Sequence, residues 1–143
     1  MTTRKILGAL SLLALPAHAD DFYKGKNLDL YVGSDPGGEY DLLTRLGSRW
    51  LGKHIPGNPN VVVQNMPGAS GNTSAAYVAN VAAKDGTVIG ATSRAMAFEP
   101  LLGNKAAQYD ATKLNYIGSA NDEVSVCISW ASSGVATWSD ALA

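Results

Sequence analysis

Cysteine and histidine are scarce in this sequence of 143 residues, which contains one cysteine, Cys127, and two histidines, His18 and His54. A single cysteine cannot form an intramolecular disulfide, so the fold must be stabilised by an ordinary core. Metal sites and cysteine nucleophiles depend on histidine or cysteine partners. The sequence therefore predicts no metal site, and we expect Cys127 to be a buried, unreactive thiol within a strand.

An excess of basic residues is also missing. Lys and Arg total 11 against 12 Asp and Glu, which gives a formal net charge of −1 at pH 7. Proteins that bind nucleic acid carry a basic face that contacts the phosphates. Nucleic acid is therefore not expected as a partner.

No apolar run is long enough to cross a bilayer, which takes about 20 residues. The apolar run near the start covers residues 6–15, follows two basic residues and precedes the small-x-small sequence Ala17-His18-Ala19. These features predict a cleavable secretory signal peptide over residues 1–19, with the exported chain beginning at Asp20. A membrane anchor is the alternative interpretation of this segment.

Strand-like and helix-like patterns alternate after the signal peptide, as is typical of an α/β fold with a mainly parallel sheet. The predicted strands cover Leu28–Val32, Val61–Gln64 and Val88–Ala91. The predicted helices lie near Asp41–Lys53 and Asn72–Ala83.

The first predicted helix is amphipathic. Leu42, Leu46 and Trp50 recur at helical spacing, and the side predicted to be exposed carries Arg45 and Lys53. A shorter helix is predicted after the third strand, over residues 95–102.

The polar segment from Gly103 to about Lys113 predicts a crossing into a second lobe. Two strand-like runs follow, Leu114–Gly118 and Val124–Trp130. A Thr-x-x-Asp capping box at Thr137 then predicts the start of a helix close to the end of the sequence. These features predict a first lobe over residues 20–103 and an incomplete second lobe over residues 104–143.

Two Pro-Gly turns each connect a predicted strand to a predicted helix. They are Val32–Asp41 and Gln64–Asn72. Backbone N–H groups at the start of a helix lack intrahelical partners and suit an anion. Because the carboxyl ends of parallel strands share one edge of a sheet, we expect both turns to contribute bare amides to a single ligand site.

Catalytic interpretations of these turns are the alternatives to binding. A secreted hydrolase would use Ser70 or Ser93, but the sequence has no Gly-x-Ser-x-Gly elbow. Asp35, Glu39 and Asp41 suit an acid/base cluster, although carboxylates in a first helical turn also cap the helix. The second turn lacks the lysine of a phosphate-binding loop. Anion binding without catalysis is the favoured hypothesis, with no cofactor.

The motifs Pro36-Gly37-Gly38-x-x-Asp41, Asn65-x-Pro67-Gly68-Ala69-x-Gly71 and Asp85-Gly86-Thr87 occur in this order. In order and spacing, the chain resembles the extracytoplasmic solute receptors of the tripartite tricarboxylate transporter family, also called Bug receptors. The resemblance implies a two-lobed periplasmic Venus-flytrap protein whose turns clasp a ligand carboxylate. It also implies a small organic acid as ligand and the membrane subunits of the transporter as partners.

Residues expected to form the ligand site come from the two turns and from the end of the third strand. They are Ser34, Gly37, Gly38, Tyr40, Gly68, Ala69, Ser70, Gly71, Asn72, Thr92 and Ser93. Asp41 is expected to organise the helix and the turn without contacting an anionic ligand. The sequence departs from the family pattern at Ser34-Asp35, where apolar residues are usual, and at Glu39, where a small residue is usual.

Overall fold

The computed structural model describes residues 22–120, 122, 124 and 126–142. The signal peptide predicted over residues 1–19 lies outside these ranges. Within them, no helix has the length and apolar character needed to cross a membrane.

A three-stranded parallel sheet forms the centre of the fold. Its strands are β1 (Asn27–Val32), β2 (Asn60–Asn65) and β3 (Val88–Ala91), in the order β2-β1-β3. Leu28 pairs with Val61 and Leu30 with Ile89, with both pairs of strands parallel. The three predicted strands and their parallel arrangement are therefore confirmed, and the class is mixed α/β.

Two helices connect these strands in the predicted positions. Helix α1 covers Glu39–His54 and helix α2 covers Asn72–Asn80. Alanines make α2 slim, and Ala75 is almost fully buried. The added Cβ of an alanine at Gly90 on β3 would lie 3.3 Å from Val78 of α2. The helix and the sheet therefore pack closely at this point.

The orientation of α1 differs from the expectation for an amphipathic helix. Leu42, Leu46 and Trp50 are 55–60% exposed, whereas Asp41 is the buried residue of this helix. A Cβ added at Gly52 of this helix would lie only 2.6 Å from the carbonyl oxygen of Pro59, which precedes β2. The prediction of the buried face was wrong because close backbone contact and the polar contacts of Asp41 set the rotation of the helix.

The segment after β3 packs against helix α2. A 3₁₀ turn at Arg94–Ala97 and irregular turns replace the helix predicted over residues 95–102. Tyr109 is buried with Met96 and Ala75, and its hydroxyl donates to the Met96 carbonyl at 2.9 Å. Tyr109, from the predicted crossing segment, thus belongs to the same core as Ala75 of helix α2.

The strands predicted over Leu114–Gly118 and Val124–Trp130 were wrong, because the described residues of both runs are irregular. Val124 and Ile128 are each 92% exposed, and Cys127 is exposed rather than buried. An apolar alternating run forms a strand only when another strand pairs with it, and no described strand does so here.

The capping box predicted at Thr137 is confirmed at the start of helix α3 (Trp138–Leu142). The amide of Asp140 donates to Thr137 Oγ1 at 3.3 Å, and the amide of Thr137 donates to Asp140 Oδ2 at 2.7 Å. These contacts hold the pKa of the Asp140 carboxyl below its usual range, chiefly through the Thr137 hydroxyl and amide.

Candidate functional site

Three connections meet at the carboxyl edge of the sheet. They are the β1–α1 turn (residues 33–38), the β2–α2 turn (residues 66–71) and the residues that follow β3. The Gly33 amide donates to the Ala91 carbonyl at 3.2 Å, and the Met66 amide donates to the Val32 carbonyl at 2.8 Å. The expected adjacency of the two Pro-Gly turns is therefore confirmed.

The two turns are in backbone contact at a pair of glycines. A Cβ added at Gly33 would lie 2.8 Å from Cα of Gly71 and 3.3 Å from its carbonyl oxygen. Gly71 itself has φ = +91°, in the region that side chains disfavour. Only glycine at position 33 permits this approach, so the two turns form one continuous surface.

Asp41 links the first turn to the end of β2. Its carboxylate accepts hydrogen bonds from the Gly37 amide at 2.8 Å, from Arg45 Nε at 2.9 Å and from Asn65 Nδ2 at 2.8 Å. The Asn65 side chain also donates to the Ser34 carbonyl at 3.1 Å. The expectation that Asp41 organises the helix and the turn is confirmed.

These contacts strongly favour the ionised form of Asp41. The Arg45 side chain, the Gly37 amide and the Asn65 side chain, in that order of importance, lower the pKa of the Asp41 carboxyl to about 2. The negative charge is matched by the guanidinium of Arg45, which also donates to Asn65 Oδ1 at 2.7 Å.

The expectation of bare glycine amides at the first turn is corrected by these bonds. The Gly37 amide is bound to Asp41, and the Gly38 amide donates to the Asp35 carbonyl at 3.1 Å. In the second turn, the Gly71 amide donates to the Gly68 carbonyl at 2.9 Å. These glycines shape the turns. The N-cap residue of α1 is Gly38, which has no side chain that could cap the first-turn amides of the helix.

The second turn has an unusual left-handed backbone. Four consecutive residues have positive φ, at +132° for Gly68, +47° for Ala69, +56° for Ser70 and +91° for Gly71. Ala69 and Ser70 carry a Cβ, and such residues cost roughly 1–2 kcal/mol each in this region. Strain of this kind persists where the surrounding structure holds it, and it is often found at ligand-binding sites.

Asn72 and Tyr109 stabilise this strained turn through hydrogen bonds. Asn72 is 1% exposed, and its Nδ2 donates to the Ala69 carbonyl at 2.8 Å. The single proton of the Tyr109 hydroxyl is shared between Asn72 Oδ1 at 2.7 Å and the Met96 carbonyl at 2.9 Å. Burial raises the pKa of the Tyr109 phenol, with smaller contributions from Glu99 and Tyr116. The Asn72 side chain, expected to contact the ligand, is thus engaged within the protein.

A cavity of about 300 Å³ lies where the three connections meet. It brings together four of the predicted site residues, each with a hydroxyl group. Its lining residues are Gly33, Ser34, Tyr40, Ser70, Ala91 and Ser93. The other predicted site residues are not among those that line it; they are Gly37, Gly38, Gly68, Ala69, Gly71, Asn72 and Thr92.

Sequence reasoning missed Gly33 and Ala91 of this lining, as well as the bridging role of Asn65. The available signal for Asn65 was its place at the end of a strand, directly before the Met-Pro-Gly turn. Amide side chains at such positions can hydrogen-bond neighbouring turns.

The hydroxyl groups of the cavity differ in their hydrogen bonding. Ser93 Oγ accepts a bond from the Ala95 amide at 3.3 Å, so its own proton remains to be donated to another acceptor. Among the described residues, Ser34 Oγ is a buried hydroxyl oxygen with no hydrogen-bond partner. A buried hydroxyl of this kind is unfavourable until it is paired.

The lining of the cavity contains no charged side chain. Within the part of the chain that the structure describes, no group of three or more His, Cys, Asp or Glu side chains is placed to hold a metal ion. The arrangement can therefore offer neutral hydroxyl groups to a small polar molecule.

Comparisons of the chain with protein families, with curated proteins and with solved structures gave no match.

Proposed function

We propose that this chain is a periplasmic solute-binding receptor that captures a small organic acid. The observation that carries the proposal is the cavity at the carboxyl edge of the parallel sheet, where hydroxyl groups converge from three connections. Open α/β sheets bind ligands at this edge. In this proposal the described sheet belongs to the first lobe of a Venus-flytrap protein.

The chemistry of the cavity suits a carboxylate. Ser93 Oγ accepts the Ala95 amide and keeps its own proton to donate, and Ser70 and Tyr40 add two further hydroxyl groups to the lining. Hydrogen bonds to a charged group contribute about 1.5–3 kcal/mol each, and the dipole of a helix adds about 0.3–1 kcal/mol. Micromolar binding corresponds to about 8 kcal/mol, so several hydroxyl contacts are needed together, in a site closed from water.

The transport role rests on the sequence motifs of the two turns, which resemble those of tripartite tricarboxylate transporter receptors. The receptor would deliver its ligand to the membrane subunits of such a transporter. Export to the periplasm rests on the predicted signal peptide. Both turns lie at the carboxyl edge of the parallel sheet, where α/β proteins bind ligands, and this position supports the proposal.

The rival hypothesis of a serine hydrolase needs a base beside Ser70 or Ser93. Among the described residues the only histidine is His54, the last residue of α1. The cavity residue Tyr40 lies in the first turn of that helix, about 21 Å away along its axis at 1.5 Å per residue. This separation supports binding without catalysis.

Calorimetric titration of the mature protein with mono-, di- and tricarboxylates tests the proposal. We expect saturable binding of at least one acid, weakened about tenfold by Tyr40→Phe, which removes one hydrogen-bonding group. Tyr23→Phe is the matched control, because the Tyr23 hydroxyl contacts the Gly86 carbonyl near the opposite edge of the sheet. Absence of binding across the panel, or turnover of an ester substrate that Ser70→Ala abolishes, would overturn the proposal.

A further inference from the structure

The charges around the cavity are unevenly distributed. Asp35 directly follows the lining residue Ser34, and Glu39 directly precedes the lining residue Tyr40. Both acidic residues are exposed. The cation closest in sequence to a lining residue is Arg94, next to Ser93. Two acidic residues and one arginine are therefore sequence neighbours of the residues that line the cavity, and the lining itself is uncharged.

A second cation, in helix α1, forms an ion pair with a neighbouring carboxylate. Arg45 is bound to the Asp41 carboxylate and to Asn65. Because Asp41 has a pKa of about 2, this pair is neutral overall at physiological pH. It leaves the exposed acidic residues Asp35 and Glu39 as the excess charge beside Ser34 and Tyr40 in the sequence.

Neutral hydroxyl groups can hold one carboxylate, but they do not compensate a second one. A ligand with two or three carboxylates would place its additional charges near Asp35 and Glu39. Like charges repel, and salt screens the repulsion.

We infer that the site selects a monocarboxylate whose remaining polar groups are uncharged, and that Asp35 and Glu39 are the residues that disfavour further carboxylates. This inference rests on the proposed function, because it assumes that the cavity binds an organic acid. It specifies the class of acid, and it assigns a role to the two positions where the sequence departs from the family pattern.

Succinamate and succinate form a matched pair of probes, since they differ only by a carboxamide in place of one carboxylate. Calorimetry of the mature protein at low salt should give at least tenfold tighter binding of succinamate. The double variant Asp35→Asn/Glu39→Gln should raise succinate affinity about tenfold and change succinamate affinity less than about threefold. In about 0.5 M NaCl, the difference between the two probes should shrink.

Asp85→Asn is the matched control for net charge. Asp85 precedes β3 at the opposite edge of the sheet, and an asparagine keeps the oxygen that accepts the Thr87 hydrogen bonds. This variant should leave both affinities unchanged. An equal gain in succinate affinity from Asp85→Asn would show a general charge effect and overturn the assignment to Asp35 and Glu39.

The outcomes separate this inference from the proposed function. Tighter binding of succinate than of succinamate by the unmodified protein would overturn the inference and leave the receptor proposal standing. A double variant that still discriminates fully against succinate would overturn the role of the two acids. Failure of both probes and of every acid in the wider panel would overturn the receptor proposal itself.

Discussion

Asn65 and Asp41, which lie 24 residues apart in sequence, are joined by a 2.8 Å hydrogen bond from the side-chain amide to the carboxylate. The bond connects the last residue of β2 to the first turn of α1. Because Asn65 also donates to the Ser34 carbonyl, it holds the first turn beside the second. The cavity depends on this connection, since its lining comes from both turns.

Replacement of Asn65 by alanine should lower the free energy of unfolding by about 1–3 kcal/mol, because hydrogen bonds to a charged group are lost. Urea titration measures this change. A double-mutant cycle with Asp41→Asn should show an interaction between the two sites, as expected for residues in contact. Simple additivity of the two variants would contradict the structural role assigned to this bond.

The ionised Asp41 also predicts a pH dependence of stability. Its pKa in the folded state is about 2, below the ordinary value of 3.8. A depressed carboxyl pKa contributes stability that is complete above about pH 4 and is lost as the pH falls towards about 2. The urea midpoint should therefore fall in this window, and Asp41→Asn should reduce the slope. A slope that Asp41→Asn leaves unchanged would contradict the contacts described for this carboxylate.

Alanine substitutions at Gly33, which contacts the second turn, and at Gly47, which is in open space, should have opposite effects on stability. Gly33→Ala should lower the free energy of unfolding by about 1–3 kcal/mol, because the new Cβ would meet the Gly71 backbone at 2.8 Å. Gly47→Ala, in an open position within α1, should raise it by up to about 1 kcal/mol. Thermal unfolding of both variants checks this contrast, and a neutral Gly33→Ala would show that the turns are not in close contact.

The strained second turn predicts a separation of stability from binding. Ala69→Gly and Ser70→Gly should leave stability unchanged or raise it by up to about 1 kcal/mol, since each relieves a positive φ. Ser70→Gly and Ser70→Ala should weaken acid binding about tenfold, because both remove the hydroxyl that lines the cavity.

Ala69→Gly is the control in that series, because Ala69 shares the left-handed conformation but does not line the cavity. It should retain the affinity of the unmodified protein. Equal loss of affinity in Ala69→Gly and Ser70→Gly, with no loss in Ser70→Ala, would show that turn rigidity matters rather than the hydroxyl.

The local pattern of the sequence was sufficient to predict the strands and the main helices. Strand β1 alternates apolar and polar residues, β2 is a short apolar run, and both are followed by Pro-Gly turns. Such signals depend on neighbouring residues, and the preference for right-handed crossovers then makes the sheet parallel. The capping box at Thr137 was equally local, and it formed as predicted.

Tertiary packing decided which groups face the ligand and which are used within the protein. The Gly37 amide is bound to Asp41. Asn72 is bound to Tyr109, which lies 37 residues further along the chain. Leu42 and Leu46 of α1 are exposed. None of these outcomes follows from spacing in the sequence, because each depends on which distant group offers a hydrogen bond or permits close backbone contact. The sequence determined where the turns lie, and the packing of those turns determined that hydroxyl groups, rather than the amides of Gly37, Gly38 and Gly71, form the candidate site.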